Sequence, residues 1–419
     1  MGGINKNTVK ITFPQIIAVV IAIAPILNIY KFGPINASAG DVCLLLLLAA
    51  CIIKITGLHL NFNTSNIVFI PFLVYAFLES TFIIMTQLSP NYSDYINKWI
   101  KLITYYLVIN SISIVGFDKK LAKHIIINIA TAISVLLVIQ WLALCLLNIT
   151  IFPYLSYPAL HYNLNLEELR TQTERWIDFG IWRPSAIFAE PAAYAEYCIL
   201  ALTFSVFSPN DKTFGTWIKR GILLTGIILA ESATGIILLM CVIGVWFFSH
   251  LKRKIPRWMG WILTFTIPVT CIFLQSDFFI NALSRIRTFD FSGGRTTANL
   301  RVLQGFHIYS QLPTIYKIFG LGFGNVKNYL ISHSITTPYL SDIGNEAMSS
   351  ITTILNSSGI IGLFFYLMSF INIWRKKSDS VKKVFMILLS MLMCTSGLFF
   401  TSFFVTYFVF ICTKSKTSN

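Results

Sequence analysis

Apolar runs of membrane-spanning length recur along the whole of this chain, and they leave its backbone little choice. A hydrocarbon core about 30 Å thick is crossed by about 20 helical residues. Within it every N–H and C=O must be bonded inside the protein, so such runs fold as helices. Eight stretches fit: Phe13–Tyr30, Ser38–Thr56, Ile67–Thr86, Trp99–Val115, His124–Leu147, Pro191–Phe207, Trp258–Leu274 and Gly359–Trp374. Two longer stretches, Trp217–Phe248 and Val384–Cys412, are interrupted at Glu231-Ser232-Ala233-Thr234-Gly235 and at Ser396-Gly397, and read as hairpins of two short helices each. The expectation is an all-α polytopic integral membrane protein with about 12 transmembrane helices, forming a single domain over residues 1–419. Phe13–Tyr30 has no small-residue cleavage site behind it and reads as a retained helix rather than a signal peptide.

Charge is sparse and unevenly placed. Charged residues make up 12% of the chain, against roughly 25% in soluble proteins. The net charge of +15 does not point to nucleic acid, because the basic residues sit in short loops between apolar runs. By the positive-inside rule those loops, and both termini, are expected in the cytoplasm. Two segments on the opposite face are too long to be connectors: residues 148–190 and 275–358. They hold seven of the 11 arginines, whereas 16 of the 21 lysines fall on the cytoplasmic side. Arginine's planar fork suits carboxylates and diphosphates. The eight cysteines all lie in apolar runs with no C-x-x-C pair, so metal, disulfide and thiol-redox roles are not expected.

Four motifs lie on or beside that face. The first is Trp182-Arg183-Pro184-Ser185-Ala186-Ile187-Phe188-Ala189-Glu190-Pro191, where a polar loop opens a helix. Proline suits the first helical position, which puts Glu190 at the N-cap. The Glu231–Gly235 break is the second. The third is Arg295 and Arg301 on a segment whose Leu300, Leu303 and Phe306 spacing suggests an amphipathic helix, followed by Gly320-Leu321-Gly322-Phe323-Gly324-Asn325. That glycine run lacks a βαβ context and reads as a turn allowing close backbone approach, not a nucleotide cradle. The fourth is Asn345-Glu346 ahead of Gly359-Ile360-Ile361-Gly362-Leu363.

In this order the motifs resemble the superfamily of Wzy-type O-antigen polymerases and O-antigen ligases, over roughly Arg183 to Leu363. The resemblance implies a GT-C-like, metal-independent glycosyltransferase of the bacterial inner membrane, without a cofactor, whose long loops are periplasmic. Its donor and acceptor would be oligosaccharides on undecaprenyl diphosphate, with a chain-length regulator as accessory protein. Ligases of the superfamily carry a histidine where this chain has Gly344-Asn345, which favours the polymerase. Ligation to lipid A-core is the alternative, and a lipid-linked oligosaccharide flippase is the alternative from another class.

Residue chemistry fits a lipid diphosphate at a membrane surface. Arg183 and Arg301 are the expected stabilisers of the departing anion, with Arg295, Asn345 and Glu346 as further substrate contacts. Glu190 is the first choice of proton acceptor, with Glu346 and His333 as rivals. Set against that role, Glu190 would be held by its own helix amides and by Arg183. Lys98 and Lys101 flank Trp99 and either snorkel to the interface or contact the diphosphate. Asp41 reads as an N-cap, and Glu79, Glu196 and Glu231 as carboxylates that need a function or a partner.

Overall fold

The computed structural model describes residues 12–32, 37–57, 69–86, 91–151, 160–162, 183–207, 213–251, 303–336, 348–375 and 380–413. The expected helix Trp258–Leu274, together with Arg295, Arg301, Asn345 and Glu346, lies outside them. The described chain runs α1 (Phe13–Ile23), β1 (Tyr30–Phe32), α2 (Ala39–Gly57), α3 (Ile70–Thr86), α4 (Tyr92–Val115), α5 (Lys119–Leu147) and β2 (Leu160–Tyr162). It continues through α6 (Pro191–Val206), α7 (Phe214–Leu229) and α8 (Ala233–Leu251), then three short helices, α9 (Gln304–Gln311), α10 (Thr314–Phe319) and α11 (Val326–Ser332). α12 (Ser350–Arg375), α13 (Ser380–Thr395) and α14 (Ser402–Cys412) complete it. This is a helical membrane protein: α2, α5 and α12 are each long and apolar enough to cross a bilayer, and five shorter apolar helices accompany them.

Eleven of the expected apolar segments coincide with helices, and both hairpin breaks fall where the sequence places them. Their ends differ for local reasons. α1 stops at Ile23 because Pro25 follows, and the chain turns through a 3-10 segment into β1. α4 and α5 begin seven and five residues earlier than the apolar runs, at polar caps: Asn91 accepts from the Asp94 N–H and Asp118 from the Leu121 N–H. Asp41 is not a cap, because Ser38 Oγ accepts the Asp41 N–H and places Asp41 in the first turn of α2. α12 starts at Ser350, nine residues into what reads as loop, and bends at Gly359 (φ 62, ψ −169).

Helix α6 is the hub. It is buried on every side, packs against α5, α7 and α8, and carries Tyr194 and Tyr197 fully enclosed. Around it α1 packs on α5, α2 on α4, α4 on α14, α8 on α13 and α3 on α12. β1 and β2 pair antiparallel, with Tyr30 opposite Tyr162, which ties residues 160–162 to the connection between α1 and α2.

Candidate functional site

The end of the bundle where α3 closes and α4 opens gathers the polar breaks in the helices. Three local constructions define it. The first shapes the Arg183–Pro191 stretch. Gln140, fully buried in α5, donates from Nε2 to the carbonyls of Ile151 and Ala186 and accepts the Ala186 N–H on Oε1. Its clamp holds Ala186 at φ 52, a left-handed conformation that costs a non-glycine residue about 1–2 kcal/mol. Phe188 then drops into the core against Tyr194, Tyr197 and Phe403 at centroid distances of 6.3, 5.8 and 6.3 Å. Arg183 reaches the α7–α8 break, where its Nη1 donates to the Glu231 carbonyl at 3.1 Å. Glu231 is itself left-handed (φ 47). Two motifs more than forty residues apart are therefore joined by one guanidinium.

Glu190 occupies the N-cap of α6, as its proline neighbour requires, yet its side chain makes no capping hydrogen bond and it is exposed. The sequence reading that its own helix amides would hold it is corrected: the backbone has the extended conformation usual for an N-cap, but the side chain makes no capping bond to the first-turn N–H groups.

A second construction surrounds Lys101. Its Nζ lies 3.1 Å from Asp41 Oδ2, and the other Asp41 oxygen accepts a short bond from the Tyr105 hydroxyl. Tyr105 OH also lies 3.3 Å from the Phe400 carbonyl at the α13–α14 break. Lys101 keeps 34% of its side-chain exposure while Asp41 keeps 12%, so the ammonium fronts solvent and the carboxylate backs it. Lys101 is therefore held by an ion pair rather than snorkelling alone, and Lys98 stands one turn above it, half-buried.

The third construction is the glycine turn. Gly320, Gly322 and Gly324 have φ of 107, 81 and 92, and the backbone from Gly320 to Asn325 is wholly buried. The bend at Gly359 frees carbonyls of α12, and the turn takes them: Leu321 N–H donates to Asn356 O at 2.9 Å and Gly322 N–H to Ser357 O at 2.8 Å. A Cβ on Gly320 would lie 2.4 Å from Ser357 O, and one on Gly359 would lie 2.2 Å from Ile318 O, so only glycines allow this contact. Phe323 N–H donates to Ser80 Oγ, and the ring packs among Trp99, Phe72, Phe399 and Phe400. The expectation of a close-approach turn is met here in atomic detail. Asn325 is fully buried with both amide atoms unpartnered, as is Glu79 Oε1 on α3.

Arg183, Glu190 and Lys101 thus share one end of the bundle, Arg183 held by the Glu231 carbonyl and Lys101 by Asp41. A helix is present over Gln304–Gln311, and the expected helix lies outside the described residues where it would carry Arg301. His333 is exposed at the C-cap of α11, stacked on Tyr329 with centroids 4.0 Å apart. Sequence reasoning missed Gln140, Tyr105 and Asn325. The first had a signal, a lone amide in Val135–Leu142 of an apolar helix, where a polar group requires partners. Among the described residues no three His, Cys, Asp or Glu side chains cluster as metal ligands. The chain matches no protein-family model and no curated protein.

Proposed function

We propose that the protein is a metal-independent glycosyltransferase of the Wzy type, polymerising undecaprenyl-diphosphate-linked repeat units at the periplasmic face of the bacterial inner membrane. In this reading the chain has about 12 spans in a GT-C-like arrangement, both termini in the cytoplasm, and loops 148–190 and 275–358 outside. The observation that carries it is the positioning of Arg183: a guanidinium fixed by the Glu231 carbonyl, at the mouth of a helix, with Glu190 seven residues on. A cation so placed suits an anionic group arriving at the membrane surface.

The reaction needs few parts. The acceptor hydroxyl attacks the anomeric carbon of the donor glycan, the bond from that carbon to the diphosphate oxygen breaks, and undecaprenyl diphosphate leaves with the electron pair. Arg183, with Arg301 and Arg295 from the second loop, offsets the charge growing on the diphosphate; Lys101 and Lys98 extend the cationic rim. Glu190 takes the hydroxyl proton, a role supported by its exposed position at the mouth of α6. Asn345 and Glu346 contribute sugar contacts.

The test is a membrane assay with one defined undecaprenyl-diphosphate repeat unit as sole substrate. A ladder of longer lipid-linked glycans, unaffected by EDTA and lost in Arg183→Ala, is expected. Product only when lipid A-core is added would make the protein a ligase. Movement of substrate between leaflets with no new glycosidic bond would overturn the enzyme reading.

A further inference from the structure

The second long segment contains a helix that leaves apolar side chains exposed. α10 has no buried residue, and Ile315, Ile318 and Phe319 expose 61%, 40% and 47% of their surfaces. Apolar exposure of this kind on a water-facing loop would be costly and rarely occurs as a contiguous patch. Its place against α12 says what covers it. Ile318 O and Phe319 C lie where a Cβ on Gly359 would stand, at 2.2 and 2.6 Å, so α10 ends directly on the α12 bend. From that bend to Arg375, whose neighbours Lys376 and Lys377 mark water, is sixteen residues, or about 24 Å of helix. A hydrocarbon core of about 30 Å therefore still encloses the level of Gly359.

Two further observations agree. Below the bend, Ile360, Phe364, Leu367, Met368, Ile371 and Trp374 form one exposed apolar stripe at helical spacing, the lipid-facing side of α12. α10 ends against α12 at the bend just above that stripe. Non-helical backbone at membrane depth is tolerated only when its polar groups are bonded within protein, and five backbone N–H groups of the turn after α10 are so bonded. Gly320 N–H donates to Tyr316 O, Leu321 to Asn356 O, Gly322 to Ser357 O, Phe323 to Ser80 Oγ and Asn325 to Gly322 O.

We propose that α10 and the glycine turn re-enter the bilayer, and that Ile315, Ile318 and Phe319 bind phospholipid acyl chains of the adjoining leaflet. The segment between the described helices α9 and α11 is then a membrane-inserted shoulder, not a water-exposed loop. The inference stands apart from the glycosyl-transfer reading, since it uses only depth, exposure and backbone bonding.

The test places the photoreactive residue p-benzoylphenylalanine singly at Ile315, Ile318, Phe364 and Ser334 of the full chain, in phosphatidylethanolamine–phosphatidylglycerol vesicles with radiolabelled acyl chains. Phe364 lies on the lipid stripe and Ser334 is exposed in the turn after α11. Illumination is expected to attach label at Ile315 and Ile318 to the level of Phe364 and roughly tenfold above Ser334. Labelling at Ile315 and Ile318 no higher than at Ser334, with Phe364 labelled, would overturn the proposal. All four positions are exposed, so the substitutions leave the packed core intact.

Discussion

At the scale of single residues, the site depends on polar groups that answer one another across the bundle. Lys101 and Asp41 show how. Removing Lys101 alone leaves a carboxylate in a position with 12% exposure and one hydroxyl partner. Lys101→Met is therefore expected to lower stability by about 1–3 kcal/mol. Asp41→Asn in the same chain should recover part of the loss, read as thermal midpoints in detergent. If the two losses simply add, the pair is not energetically coupled. Gln140 offers a second case. Gln140→Leu keeps the volume but strips three bonds from the loop carrying Arg183. It should cost about 2–4 kcal/mol by orphaning buried backbone groups, and transfer activity should fall with it. In the opposite direction, Ala186→Gly relieves a left-handed residue and is expected to raise the midpoint by the equivalent of about 1 kcal/mol.

At the scale of elements, α12 and the glycine turn form one unit, and their glycines are not equivalent to others in the chain. Gly359→Ala adds a methyl 2.2 Å from the Ile318 carbonyl at φ 62, and Gly324→Ala adds one 2.5 Å from the Tyr95 Cα at φ 92. Each is expected to cost more than about 3 kcal/mol, enough to lower the yield of folded protein in membranes. Gly244→Ala, within α8 and with nothing within 4 Å, should instead be neutral or stabilising by up to about 1 kcal/mol. Equal losses at all three positions would mean that the close approach does not govern folding. Much of this level was legible in the sequence. Apolar periods located eleven helices, Ser396-Gly397 and Glu231–Gly235 marked true breaks, and the glycine run was read as a turn. What escaped was the continuation of α12 above Gly359. Residues 350–358 are Ser-, Thr- and Asn-rich, and a hydropathy reading takes them for loop. They are helical because their polar side chains are buried against partners: Ser350 Oγ donates to Ser396 O and Asn356 Nδ2 to Gly305 O.

At the scale of the whole molecule, aromatic rings supply the continuity that water would otherwise drive. Burial from lipid yields little hydrophobic gain, so packing contacts must hold the helices together. Phe323 joins α3, α4 and the α13–α14 break through Phe72, Trp99, Phe399 and Phe400. Phe323→Ala should leave the helical content by circular dichroism unchanged while exposing residues 303–336 to limited proteolysis; protection equal to the parent would assign the anchoring to the backbone bonds alone. The architecture explains the limits of sequence reading at this scale. Composition identifies a membrane protein at once, but no pattern in Arg183 discloses that its partner is a carbonyl forty-eight positions away.

The ribbon between Tyr30–Phe32 and Leu160–Tyr162 bears on the order in which the protein is made. Its first strand leaves the ribosome about 130 residues ahead of its second, a delay on the order of ten seconds at ordinary synthesis rates. During that interval α2 to α5 are synthesised while the first strand has only the bridge from Lys31 to Ser38. The ribbon can close only after α1 to α5 have been made, so it acts as a clasp on those early helices, and a nascent chain arrested before residue 160 would carry them without it.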